Sequence, residues 1–380
     1  MKLRGKSGKA IKITSLGLLA VLVLLFGGGF IYYQVIARAP LPQIDGELSA
    51  KGLIDRVEIL RDSYGVPHIY AKNMHDVFFA QGYVQAQDRW WQMEFYRKTC
   101  GGRIEELTGK KSALVAPDIY LRSLGLYGVC KREYESYTPA ERAPLDAFAV
   151  GVNAYIAGKK PRRLSVNYAL LGLTGVKFNI EPWTPIDSLM FSKIMAWDLG
   201  LRRDPELLRT RLYEKLGAKM AEAWLIPPWP IGKKPTTLTG EDIKALFGGT
   251  VATRPPGEGR PAPAQYAGKP VSGDDAPDFG WMGGGHDGAG SNSWVATGKM
   301  TKSGRALLAN DPHLGIQMPS IWYEVALHAA DDGTGRPFDV QGFTFSSNPG
   351  VVVGHNADIS WGTTNVYPDV NDQYLIRVNP

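Results

Sequence analysis

A serine placed where a long Gly/Pro-rich passage stops and a strand pattern begins has a chemical option that few serines have. Ser291 stands there, in Gly288-Ala289-Gly290-Ser291-Asn292-Ser293-Trp294-Val295. Its hydroxyl can attack the Gly290 carbonyl, turning that peptide bond into an ester that water then opens. Ser291 would be left with a free α-amine beside its own hydroxyl. An α-amine titrates at about 7.7–8.0, so it can serve as the base for that hydroxyl with no histidine. Gly-Ser-Asn is also ordinary turn chemistry, and on these residues alone an exposed turn serine is the better reading. The rival chemistry, a histidine-assisted serine hydrolase, lacks its Gly-x-Ser-x-Gly elbow in this chain.

The elements that must position Ser291 divide at it. After Ser291, short runs such as 292–296, 306–309, 323–328, 338–343, 351–353 and 359–361 have strand character and are joined by Gly and Pro turns. They predict one growing sheet. Before it, the region 52–225 reads as mainly helical after one strand near 57–60. A long amphipathic helix is predicted from Asn73 to about Lys98, ended by Gly101-Gly102. Thr138-Pro139-Ala140-Glu141 starts another that stops near Gly158, and Trp183-Thr184-Pro185-Ile186-Asp187 starts a third through Trp197. A fourth crosses Glu206 to Leu216. The Asp88-Arg89 pair reads as structural, fixing neighbouring segments by ionic hydrogen bonds. Residues 226–290, rich in Pro and Gly, cannot bury enough apolar surface to offset ordering and read as a linker.

Five stretches in order carry a family resemblance: Arg61-Asp62-Ser63-Tyr64-Gly65-Val66-Pro67-His68-Ile69, Gly82-Tyr83-Val84-Gln85-Ala86-Gln87-Asp88-Arg89, Gly290-Ser291-Asn292-Ser293-Trp294-Val295, Ala309-Asn310-Asp311-Pro312-His313-Leu314, and the run 354–365 from Gly354-His355-Asn356 to Trp361-Gly362-Thr363-Thr364-Asn365. Together they resemble the penicillin acylase (penicillin amidase) family of N-terminal-nucleophile hydrolases, from about Gly52 to Pro380 with a variable gap near 227–285. The resemblance implies an αββα fold in the α+β class, here incomplete, and a precursor cut at Gly290–Ser291 into two pieces that stay together as a heterodimer. Residues 226–290 would then be a spacer partly excised in maturation, and 291–380 the start of the second piece.

The same resemblance makes Ser291 the nucleophile and maps one oxyanion donor, a backbone N–H, onto Asn365, whose side chain would matter little. The family's second donor, an Asn much further along, has no counterpart in this chain. His313 would support the free α-amine through its carbonyl, with its imidazole a further option. His355-Asn356 reads as a structural turn, and His68 and Trp294 as packing residues. Met195–Trp197 and Ser346-Ser347 are candidates for an acyl pocket. Family members commonly hold a structural calcium, which maps onto Glu206, Asp369, the Asn371 carbonyl and Asp372. Alternating carboxylate and carbonyl oxygens suit such a hard cation. The expected reaction is hydrolysis of a linear amide in an N-acylated small molecule, a penicillin side-chain amide or an acyl-homoserine lactone among them, with no organic cofactor. The alternative is a non-catalytic, membrane-anchored scaffold that retains the fold.

Composition bounds these readings. Of 380 residues, 44% are hydrophobic and 21% charged, ordinary for a globular chain with a sizeable core. The formal charge is +6, but Lys2, Arg4, Lys6, Lys9 and Lys12 supply five, leaving 6 − 5 = +1 elsewhere. Nucleic acid is therefore not an expected partner. The apolar run Leu16–Ile36 has the length of a membrane span of about 20 residues, longer than the core of a cleaved signal of about 7–15. The lysines before it place the remainder outside the cytoplasm. Residues 1–36 are expected to be a cytoplasmic tail with an uncleaved anchor, the alternative being a removed signal, and 37–51 a polar tether. Cys100 and Cys130, the two cysteines, could pair in an exported protein or remain two buried thiols.

Overall fold

The computed structural model describes residues 7–109, 114–199, 203–225 and 291–365, without the side chains of 7–14, 203–209 and 222–225. The Leu- and Val-rich N-terminal run forms α1 (Ser7–Ile31), continued by a π-helical stretch over Tyr32–Ala37. Ser15–Ala37 is long and apolar enough to cross a membrane. Its Leu16, Leu24 and Phe26 are exposed, so nothing in the described chain covers this surface.

The body is α+β. Strands β1 (Glu58–Arg61) and β2 (Pro67–Ala71) lead into α2 (Met74–Cys100). Asn73 caps α2 by accepting from the Asp76 N–H, Arg97 and Lys98 lie in the last turn, and Gly101 follows. After it come α3 (Glu105–Thr108), α4 (Val115–Leu124), α5 (Leu126–Ser136), α6 (Pro139–Ile156), α7 (Val166–Gly172) and α8 (Pro185–Leu199). Thr138 and Glu141 form a reciprocal capping box at α6, the signal that predicts this start. α9 (Arg203–Leu216) and α10 (Ala218–Leu225), joined at Gly217 in the left-handed region, belong to a second compact unit.

Two apolar clusters build the helical layer. One gathers Tyr96, Cys100, Cys130, Met190, Phe191 and Met195. The other gathers Trp90, Met93, Phe148, Tyr155, Tyr168 and Trp183. Both cysteines are buried free thiols, so of the two readings the unpaired one holds. Burial pushes both thiols up, Cys130 to about 11. α2 and α6 cross with their backbones in contact. A Cβ on Gly82 would lie 2.1 Å from the Phe148 carbonyl oxygen, and one on Gly151 1.8 Å from that of Phe79.

The strands after residue 290 are β3 (Ser291–Ala296), β4 (Leu307–Pro312), β5 (Trp322–Ala329), β6 (Phe338–Phe345), β7 (Val353–Asn356) and β8 (Ser360–Trp361). They do not form the single growing sheet that their spacing predicts. Among the described residues, β5–β8 extend β1–β2 into a six-stranded sheet of order β1-β2-β5-β6-β7-β8, while β3 and β4 pair with each other in a separate two-stranded sheet. The ladder is antiparallel except for β2–β5, which is parallel with His68 opposite Ala326. The reason lies in the faces. Tyr323, Val325, Leu327 and Ala329 put one side of β5 under Val77, Ala80 and Val84 of α2, beside Ile69 of β2. β3 offers no such stripe: four of its six residues are exposed.

Polar side chains of α2 join the two parts of the chain. Gln81, Gln85 and Gln92, at helical spacing and buried, grip the turn after β6. Gln81 donates to Gly350 O (2.9 Å) and accepts from Gly350 N (2.8 Å). Gln85 accepts from Ser347 N (2.9 Å) and donates to Asn348 O (3.3 Å), and Gln92 accepts from Ser346 Oγ (2.8 Å). Asp88 and Arg89 have the fixing role expected of them. Both Arg61 amino groups donate to Asp88 at 2.9 Å, Tyr323 Oη donates to it at 2.6 Å, and Arg89 donates to Ser320 O at 3.0 Å.

Candidate active site

Ser291 is the first residue of β3, opposite Pro312 at the end of β4. Antiparallel pairing therefore brings the start of one strand beside the residue that follows the other. His313 N–H donates to Ser291 Oγ at 3.3 Å. The imidazole is turned to the Asp311 carboxylate, with Nε2 2.9 Å from Oδ2, so the contact between His313 and Ser291 is made by main chain. Ser291 is half-buried at the end of an exposed ribbon.

The segment 362–365, which follows β8, lies against this ribbon. Asn310 on β4 accepts from Thr363 N (3.1 Å) and donates to Thr363 O (2.9 Å) and Asn292 O (3.2 Å). Gly362 permits that approach, because a Cβ there would lie 2.7 Å from both Cβ and Cγ of Asn310. At the other end, Asn365 Nδ2 donates to Leu199 O, the last residue of α8, at 2.7 Å. The Asn365 side chain therefore has a definite anchoring contact, where the sequence reading assigns a role to its main chain alone.

Leu314, one residue past His313, packs on an aromatic cluster containing Tyr96, Phe191, Trp322 and Phe345. Trp322 stacks on Phe345 with centroids 4.4 Å apart, and Phe191 lies 4.7 Å from Tyr96. Met195 is buried in the same cluster, and Trp197 packs on Tyr120. Ser346 is buried by its bond to Gln92, and Ser347 has a left-handed φ of 112°. Its buried Oγ has no hydrogen-bond partner among the described residues. A cleft of about 430 Å³ lies elsewhere, between residues 43–61 and α2, and does not include Ser291.

Other expected residues fall as follows. Asn356 fixes the β7–β8 turn by accepting from Asp358 N (2.9 Å) and Ile359 N (2.8 Å), beside His355 on β7. His68 stacks with His328, which stacks on Tyr70. Trp294, expected to pack, is instead 72% exposed. It sits on a two-stranded ribbon that no described element covers. Gly290, Asp369, Asn371 and Asp372 lie outside the described residues, as does the side chain of Glu206, whose backbone is part of α9. Asn310 and the three glutamines were not singled out by sequence reasoning. Gln81, Gln85 and Gln92 carried a usable signal, amides repeated at helical spacing along one side of α2.

Comparisons with known proteins place the chain. The family model described as Penicillin amidase matches residues 56–380. Penicillin acylase 2 proenzyme of a Pseudomonas species is 31% identical over 346 residues, covering 89% of this chain and 40% of that protein. An acyl-homoserine lactone acylase of Pseudomonas aeruginosa is 30% identical over 336 residues, covering 88% and 36%. A solved structure, thermostable penicillin G acylase from Alcaligenes faecalis, aligns with a TM-score of 0.40 and 28% identity over 49% of this chain and 98% of its own. The chain thus spans about two fifths of the length of the curated relatives it matches. By a match that runs from β1 through the Ser291 ribbon to the last residue, the chain belongs to the penicillin amidase family.

Proposed function

We propose that the protein is a self-processing amidohydrolase that cleaves linear amides of N-acylated small molecules. The observation that carries this reading is the setting of Ser291. It opens a strand, its Oγ is met by the His313 main-chain N–H, and the nearby imidazole is engaged with Asp311. That setting favours the serine's own α-amine as base over a histidine.

In the proposed cycle the Gly290–Ser291 bond is cut first. The freed α-amine then takes the Ser291 hydroxyl proton as Oγ bonds to the amide carbonyl carbon. The Asn365 N–H receives the negative oxygen, a contribution of about 3–4 kcal/mol for one good donor. Collapse breaks the C–N bond, the α-amine passes its proton to the leaving amine, and an ester on Ser291 remains. Water, deprotonated by the same amine, attacks that ester, and the carboxylic acid departs as Ser291 recovers its proton. The aromatic cluster beyond Leu314 would supply the apolar surface for an acyl chain.

Cutting at residue 290 would leave β1, β2 and α2 on one piece and β5–β8 on the other. The parallel β2–β5 ladder and the glutamines of α2 support a heterodimer that outlasts the cut. The carboxylates of Glu206, Asp369 and Asp372 with the Asn371 carbonyl would hold a structural calcium, an oxygen set that suits this ion. Ser15–Ala37 would tether the enzyme outside the cytoplasm.

The test uses the complete gene. Two fragments are expected, one beginning Ser-Asn-Ser-Trp by N-terminal sequencing, together with hydrolysis of members of an N-acyl amide panel. Ser291→Ala should give one uncut chain and no turnover. A Ser291→Ala chain still split at that bond would sink the self-processing reading. A panel containing β-lactam side-chain amides and acyl-homoserine lactones would then rank substrates.

A further inference from the structure

We propose that Asn310 is a positioning residue for the amidase chemistry, holding the main chain of 362–365 against the strand that begins at Ser291. This rests on the proposed roles of Ser291 as nucleophile and of the Asn365 N–H as oxyanion donor. Such a donor must lie about 2.7–3.1 Å from the place where the charged oxygen forms. Something has to fix its distance from the nucleophile, because misplacement by about 1 Å costs about 100-fold in rate.

The Asn310 side chain is built for that task. Its amide both donates to and accepts from the main chain of Thr363, the two-point contact that a strand residue would make. The same Nδ2 also donates to Asn292 O, one residue after Ser291. One planar group therefore ties β3 to the segment bearing the donor, and fixes its rotation as well as its distance. Gly362 lets the backbone settle on Asn310, since any Cβ would intrude to 2.7 Å. Leu199 O holds the far end through the Asn365 side chain. Thr364 and the Asn365 N–H lie between the two fixed points.

Asn310→Ala and Gly362→Ala remove this control independently, one by deleting the amide and the other by wedging the segment away. Both are to be read in the cleaved enzyme from the complete gene, with a chromogenic N-acyl anilide as substrate. Each should lower kcat about 100-fold with little change in KM. Inhibition by phenylboronic acid, which forms a tetrahedral adduct on a serine, should weaken by a similar factor, while inhibition by benzoate stays unchanged. Wild-type kcat in both variants would overturn the proposal. So would an equal loss of boronate and benzoate binding, which marks a collapsed pocket. Failure of both variants to fold, seen as a lost cooperative urea transition, also counts against it, because a positioning residue leaves folding intact. A wild-type enzyme that forms no boronate adduct on Ser291 would instead overturn the nucleophile assignment, a separately visible result.

Discussion

The α2–α6 crossing and the Gly362 contact at the ribbon both leave no room for a Cβ on their glycines, and they are held in opposite ways. At the α2–α6 crossing, Gly82 and Gly151 meet the carbonyls of Phe148 and Phe79 inside a buried apolar cluster. At the ribbon, Gly362 meets Asn310 at a half-exposed contact joined by hydrogen bonds. The first is fixed by burial of many neighbours, so an added atom has nowhere to go. The second competes with water, so it adds little to stability and governs geometry. The framework is over-determined, and the part that carries Ser291 is registered on it by a few polar groups.

The comparison breaks most visibly at the crossing. Gly151→Ala and Gly82→Ala should each cost about 3 kcal/mol or more, read as a large fall in the urea midpoint by tryptophan fluorescence. A wild-type midpoint would show that the helices can part. Next in size is the amide ladder. Gln85→Leu strands the Ser347 N–H and the Asn348 carbonyl in the interior and should cost about 1–3 kcal/mol, measured in the same way.

The charged end of α2 sharpens the picture through pH. Hydrogen bonds from Arg103, then from Lys98, hold the Glu181 carboxyl at about 2, against an ordinary 4.5. A lowered native value means that its contribution is complete above about 4.5 and vanishes as pH falls through about 2. Glu94 and Asp187, pushed up by burial, act with the opposite sign, so the difference between proteins is the useful quantity. The stability gap between wild type and Glu181→Gln should close across that window in urea titrations, and a constant gap would refute the assignment. The smallest effect belongs to the ribbon. Trp294→Gln should move the stability of this chain by about 0.5 kcal/mol or less, because Trp294 is 72% exposed. A larger loss would mean that the ribbon is part of the core.

Much of the framework was legible. Asn73, a 3.6-residue apolar repeat and Gly101-Gly102 bracket α2 within two residues of its observed Met74–Cys100 span, and Thr138 with Glu141 marks α6. These signals are local, made by a residue and its neighbours along the chain. The pairing of β5 with β2 was not legible. A strand's alternation says which side is apolar and nothing about which distant edge completes its ladder. Asn310 stood within a motif already noted, yet its partners Asn292 and Thr363 come from two other segments. No spacing in the sequence records that meeting.

By itself, then, the sequence determined where α2, α6 and α8 begin and end to within a few residues, that an abrupt strand starts at Ser291, and that the motifs occur in a family's order. Capping, periodicity and chain order are properties of neighbouring residues and need no fold to be read. Only the tertiary structure decided that the strands part into two sheets, that three buried glutamines clasp the turn after β6, and that His313 meets Ser291 through its backbone. Those outcomes depend on which surfaces exclude water together, and that choice is made only when distant segments compete for the same partner.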